Sequence, residues 1–202
     1  MKGKMKIETP DGEDKVLLHS CCAPCSAAII ECMMANEIHP TIYYYNPNIY
    51  PLEEYETRKA EAKRFVASQG LSFVDADYDY GQWKQGICGL EDEPERGKRC
   101  LSCFKMRLLS TAQYAATHGF TVFTTTLASS RWKSLEQINE AGNWAASQVE
   151  GVTFWDQNWR KGGLQDRRNE LLRTYNFYNQ QYCGCEFSLK SRLNQLLLQK
   201  EP

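Results

Sequence analysis

Three observations predict an α/β fold with a doubly wound, mostly parallel sheet and helices on both faces. Strand-like and helix-like segments alternate along the whole chain, the order that builds a parallel sheet. The runs KVLLH, TIYYY and TVFTTT read as short buried strands, the last two rich in β-branched or aromatic residues. Small and reactive residues, HSCCAPCS, crowd the point where the first run turns into a helix, which is where such folds keep their ligand sites.

Lys15 to His19 is the first strand. Pro24, tolerated in a first helical turn, and the small Ser26, Ala27 and Ala28 open a helix over Ser26 to Ala35. Thr41 to Tyr45 is the second strand; the turn-rich NPNIYP follows, then a charged helix from about Glu53 to Gln69, stopped by Gly70. A third strand is expected over Leu71 to Val74. Arg99 to Ala116 is helical, with Leu108, Leu109, Ala112 and Ala115 on one face and Gly119 beyond its end. Thr121 to Thr126 is a strand, Ser134 to Gln148 a helix and Val152 to Trp155 a short strand. Leu164 to Tyr175 and Leu189 to Gln199 complete the helices. No repeat, low-complexity tract or linker divides these elements, so residues 1–202 are expected to form one domain, with 1–14 a flexible amino-terminal segment.

At 202 residues the chain can bury about 70% of its unfolded surface and needs no covalent staples. Its nine cysteines fall well below the density of a disulfide-stapled secreted scaffold. The first 15 residues are polar, without a signal peptide's apolar stretch, and no run approaches the ~18 apolar residues of a membrane span. A cytoplasmic protein without membrane contact is expected. In a reducing compartment, close cysteines serve metals or catalysis more often than disulfides. The net charge of −1 gives no global attraction to nucleic acid, so any basic site has to be local.

Seven of the cysteines form three clusters: Cys21, Cys22 and Cys25 in CCAPC, Cys100 and Cys103 in CLSC, and Cys183 and Cys185 in CGC. Each cluster lies at an element boundary, and the clusters are far enough apart to converge only through the fold. One zinc ion or one iron–sulfur cluster uses about four thiolates, so seven point to two metal centres or to one centre plus free catalytic thiols. Cys21, Cys22 and Cys25, at the turn, are the candidate catalytic set. Vicinal side chains point in different directions, so Cys21 and Cys22 can serve different partners. Cys32 and Cys88 stand alone and read as packing or incidental residues.

The stretches LLHSCCAPC, YYYNPNIYPLEEYETRKAE, RCLSCFKMRL, FTTTLASSRWKSLEQINEAG and FYNQQYCGCEFSL occur in that order between about Leu17 and Leu189. In this ordered set the chain resembles the cobalamin-independent QueH family of epoxyqueuosine reductases. The resemblance implies a Rossmann-like domain of the adenine-nucleotide-hydrolase-like kind, carrying a [4Fe–4S] cluster beside an additional iron ion. It implies a substrate, tRNA with epoxyqueuosine in the anticodon loop, whose epoxide is reduced to the alkene of queuosine. It also implies an electron donor that the sequence does not identify. Cys21, Cys22, Cys25, Cys100, Cys103, Cys183 and Cys185 would be shared between the two centres. At two places the chain departs from some members, which carry Asp at the position of Cys25 and Pro at that of Arg131. A thiolate at position 25 makes the lone metal site softer than a carboxylate would.

For RNA, the segment from Gln157 to Tyr175 carries Arg160, Lys161, Arg167, Arg168 and Arg173 against Asp166 and Glu170, with Trp155 and Trp159 beside it as candidate stacking partners. Arg96, Lys98, Arg99 and Arg107 flank the second cysteine pair, where anticodon-loop phosphates would pass. Tyr182, Tyr50 and Glu53 are candidate proton donors, and His19 reads first as a structural imidazole. Two other classes compete. An ATP-pyrophosphatase-type tRNA-modifying enzyme would place a Gly/Ser-rich phosphate loop after the first strand, where this chain has HSCCAPC. A zinc-containing RNA-binding module would need only four of the thiols and would be colourless.

Overall fold

The computed structural model describes residues 5–199. Five strands form one sheet in the order β3-β2-β1-β4-β5, with β1 Val16–His19, β2 Thr41–Tyr44, β3 Phe73–Asp75, β4 Val122–Thr125 and β5 Thr153–Phe154. Every pairing is parallel. β1 is buried along its whole length because it is the central strand, covered on both faces, which is why KVLLH is continuously apolar instead of alternating.

The helices are α1 Ala23–Ala35, α2 Leu52–Ser68, α3 Tyr80–Gly86, α4 Lys98–Thr117, α5 Leu135–Ser147, α6 Leu164–Thr174 and α7 Glu186–Leu198. α1 packs with α2 and α6, whereas α4 packs with α3 and α5. Right-handed crossovers put these two groups on opposite faces of the sheet. The main core joins Leu17, Leu18, Ile29, Ile30 and Met33 to Leu108, Ala112, Phe123 and Ile138. On α4 the residues Leu108, Ala112 and Ala115 are buried as the periodicity requires, while Leu109 is half-buried at the edge of that face.

The sequence leaves out α3, a helix of only seven residues. Its start is capped by Asp79 Oδ1, which accepts from the Gln82 amide at 2.8 Å, and it exists to bring Trp83 into a second core with Ile87 and Cys103. The expected flexible segment at 1–14 includes residues 1–4, which lie outside the described residues. Further on, Ile7 joins the main core and Asn36 Nδ2 donates to the Met5 carbonyl at 3.0 Å. Among the described residues, no helix is long and apolar enough to cross a membrane.

The strand order reverses direction between β1 and β4. That switch point opens a crevice at the carboxyl ends of the two strands. The loop after β1 holds Cys21 and Cys22, and the short 3-10 turn Thr126–Ser129 follows β4. They are tied together there, the Cys21 amide donating to Thr126 Oγ1 at 3.2 Å.

Candidate active site

Each of the three cysteine clusters sits at the amino-terminal end of a helix. Cys22 is the N-cap of α1 and Cys25 lies in its first turn; Cys100 and Cys103 lie in the first two turns of α4, three residues apart on one face; Cys185 is the N-cap of α7. Helix amino termini carry partial positive charge, which favours thiolate over thiol and any anionic group the thiols hold. Gly184, between the last two cysteines, has φ of 131°, and an added Cβ would meet Arg58 Nη1 at 3.1 Å, so the CGC spacing requires glycine.

Cys21, Cys22, Cys25, Cys100, Cys183 and Cys185 line one open cavity of about 910 Å³ at the switch point. Cys103, behind Cys100, is buried in the second core. All seven clustered thiols therefore converge, and all nine cysteines are free. Cys32 is buried on α1 and Cys88 is exposed, both away from the cavity lining, as their isolation suggested.

Within the first cluster the three sulfurs all lie within 4.8 Å of one another, and this group could hold a metal ion. Cys21 Sγ and Cys22 Sγ are 3.7 Å apart, so the vicinal thiols do not diverge toward different partners as the sequence suggested but converge with Cys25 on one point. Two thiolates on one tetrahedral ion at the usual metal–sulfur length stand about 3.8 Å apart, so the spacing fits a single ion. Hydrogen bonds from Cys22 and Cys25, outweighing burial, pull Cys21 down, while burial pushes Cys22 up and donation to Cys21 pushes Cys25 up to about 11. Thr126 Oγ1 also donates to Cys21 Sγ, at 3.4 Å.

Cys100, Cys103, Cys183 and Cys185 form the second group, close enough to affect one another's ionisation. Burial pushes Cys100 and Cys185 each up to about 11. The surroundings are built to accept sulfur charge all the same. The Arg96 amide donates to Cys100 Sγ at 3.3 Å, from a residue held at φ 67°, a left-handed conformation rare outside glycine. Burial pushes the Cys103 thiol up too, and the Arg107 guanidinium and Trp83 indole facing it oppose that only in part. Trp83 Nε1 and Arg107 Nε are buried without a hydrogen-bond partner, two donors on groups that face Cys103 and are free for a bound acceptor. This donor set fits a sulfur-ligated anionic centre.

Sequence reasoning missed the cations that serve the site. Lys133 is half-buried in the cavity wall; burial opposes its charge, but the charge of the sulfurs around it, Cys21 among them, outweighs this and raises its ammonium above its usual range. Arg58, 3% exposed, pairs with Glu54 Oε1 at 2.7 Å and donates to the Tyr182 and Cys183 carbonyls at 3.2 Å each, anchoring the CGC loop. Both lie inside stretches that carry the family resemblance, but nothing in those stretches sets these two cations apart from their charged neighbours. Only the tertiary fold brings them to the thiols.

Several expected roles change. Trp155 and Trp159 are buried and pack edge to face, 5.2 Å between ring centres, so they are core residues and cannot stack on bases. Arg99 and Arg107 are buried as well. Arg99 lines the cavity but donates to the Glu91 carbonyl at 2.7 Å and to that of Glu93, while Arg107 lies outside the lining and reaches Asn46 Oδ1, so both are engaged by the chain's own groups. In the basic segment, Arg160 clamps the Ala128 and Lys133 carbonyls at 3.1 and 2.8 Å. Arg167 pairs with Glu31 at 2.7 Å and with Glu170 at 2.9 Å; Lys161 and Arg173 are exposed away from the cavity; Arg168 lines it.

Of the candidate proton donors, Tyr182 lines the cavity, but its hydroxyl donates to the Tyr50 carbonyl at 2.5 Å and burial pushes it up to about 12. Tyr50 and Glu53 lie outside the cavity lining. His19 is wholly buried. Its Nε2 meets the Tyr45 carbonyl at 3.1 Å and its Nδ1 meets Thr125 Oγ1 at 2.8 Å, so Nε2 carries the proton and the ring is fully satisfied.

A doubly wound sheet whose switch point is ringed by free thiols, cations and helix amino termini defines an α/β protein with a sulfur-rich site that could hold a metal. Residues 16–191 match the family described as epoxyqueuosine reductase QueH. Relatives carrying that same name include a protein of Histophilus somni, 52% identical over 185 residues, spanning 92% of this chain and 76% of the relative. A protein of Acinetobacter baylyi is 47% identical over 189 residues, 94% and 87% of the two chains. One from Thermotoga maritima is 35% identical over 180 residues, 88% and 91% of the two chains. This chain belongs to the QueH epoxyqueuosine reductase family.

Proposed function

We propose that the thiol-lined cavity is where the epoxide of epoxyqueuosine in tRNA is reduced to the alkene of queuosine. Cys21, Cys22 and Cys25 are assigned to one iron ion, and Cys100, Cys103, Cys183 and Cys185 to a [4Fe–4S] cluster. The observation that carries this is the convergence of three distant cysteine clusters on one cavity, with Cys21, Cys22 and Cys25 at single-ion spacing, Cys100, Cys183 and Cys185 also lining it, and Cys103 buried behind Cys100. The reaction takes two electrons and two protons and releases water. When bound, a cluster supplies electrons singly and a lone iron acts as a Lewis acid on the epoxide oxygen.

The chain's own residues supply the rest. Lys133, on the cavity wall and kept as an ammonium by the sulfur charge around it, can hydrogen-bond the oxygen as it becomes anionic. Arg58 and the backbone turn at Gly184 fix the third cluster in place. Arg96, Arg131 and Arg168 line the cavity mouth and offer charge to RNA phosphates. Anaerobic incubation of reconstituted protein with a one-electron reductant and epoxyqueuosine tRNA should yield nucleosides lighter by one oxygen atom. Intact epoxyqueuosine after incubation with fully loaded protein would contradict the assignment.

A further inference from the structure

Among the described residues, Trp132 is the most exposed large apolar side chain, 81% in contact with solvent. Its backbone is nevertheless fixed. Arg96 Nε donates to the Trp132 carbonyl at 2.8 Å, Arg160 Nη2 to that of Lys133 at 2.8 Å, and the Lys133 amide closes a turn onto Ser130 O at 3.4 Å. Two arginines thus hold a loop whose tip places an indole in water. Trp132 lies on the wall of the thiol-lined cavity, between Arg131 and Lys133, which also line it.

The other four tryptophans are unavailable: Trp83, Trp155 and Trp159 are buried, and Trp144 is half-buried beneath Lys105, whose Nζ lies 5.5 Å from the ring centre. We propose that Trp132 is a stacking platform for a nucleobase adjacent to the modified nucleotide. This rests on the reading that RNA enters the cavity with its modified base at the thiols. A base drawn into such a cavity leaves its neighbours without their stacking partner. An indole fixed at the rim replaces the lost stack, and an aromatic face suits any base. Arg131 and Arg96 beside it supply charge to the phosphates on either side of that base.

The test uses metal-loaded protein and stem-loop RNAs carrying epoxyqueuosine, intact or with an abasic site in place of either flanking nucleotide. Trp132→Ala should weaken binding of the intact RNA roughly 5- to 100-fold, the range expected for one lost stack, and raise KM without lowering kcat. Trp132→Phe should recover most of the affinity. Iron content and the visible spectrum should stay as in wild type, showing an intact fold. Against the RNA lacking the stacked base, wild type and Trp132→Ala should bind alike, because the partner is already gone. If Trp132→Ala binds the intact RNA as wild type does, or weakens all three RNAs by one factor, the stacking role is wrong while the cavity remains the RNA site. If the wild-type protein binds none of the stem-loops, the cavity reading fails and takes this proposal with it.

Discussion

His19 sets a pH dependence that can be measured apart from catalysis. Burial, and then the Arg107 charge, push its pKa from 6.5 down to about 3 in the folded chain. Above about pH 6.5 both folded and unfolded states hold a neutral ring and stability is complete. Between there and pH 3 the unfolded chain takes up a proton that the folded chain refuses, so stability falls by about 1.4 kcal/mol per pH unit as the pH drops. Urea unfolding at pH 7 and pH 5 should show wild type losing about 2 kcal/mol more across that interval than His19→Asn, which has no such proton to take up. Equal losses would mean that His19 does not control the slope. At this scale the sequence was legible where chemistry repeats: three clusters of cysteine announce themselves by spacing. Lys133 and Arg58 were not legible, since a lone cation gains meaning only from what the fold sets against it. Trp155 and Trp159 misled because charge beside them suggested a surface, whereas both face the core.

Helix contacts decide the next two outcomes. α5 passes so close to β5 that a Cβ on Gly142 would fall 2.3 Å from the Phe154 ring. Gly142→Ala should therefore destabilise the protein by about 1–3 kcal/mol even though alanine favours helix, and an unchanged melting temperature would show that the ring moves aside freely. α6 presents two adjacent arginines with different duties. Arg168→Glu, at the cavity, should weaken tRNA binding and lower the magnitude of the salt slope by about 1. Arg167→Glu breaks exposed pairs with Glu31 and Glu170, worth about 1 kcal/mol or less each, and should leave RNA affinity nearer wild type. Equal effects of the two changes would restore the whole basic segment as one RNA surface. Apolar periodicity revealed the long helices because one face of each must be buried. It could not reveal α3, whose seven residues are too few to show a period and whose existence depends on Trp83 meeting Cys103.

For the molecule as a whole, sheet order determines where the chemistry lies. Alternating strands and helices in the sequence give a parallel sheet, and a thiol cluster after the first strand places the site at its carboxyl edge. What brings the second and third clusters together is Phe187, at the start of α7, meeting Trp83 of α3 and Arg99 of α4, and local patterns carry no record of such a distant meeting. The central claim, that seven thiols make two adjacent iron centres, is tested most directly by counting iron and acid-labile sulfide in anaerobically reconstituted protein. Wild type should hold about five irons and four sulfides per chain, the sum of one four-iron cluster and one ion. Cys22→Ala should lose about one iron and keep the sulfide, whereas Cys103→Ala should lose the sulfide, and Cys88→Ala should match wild type. Wild-type protein that binds only zinc and no sulfide would contradict the claim.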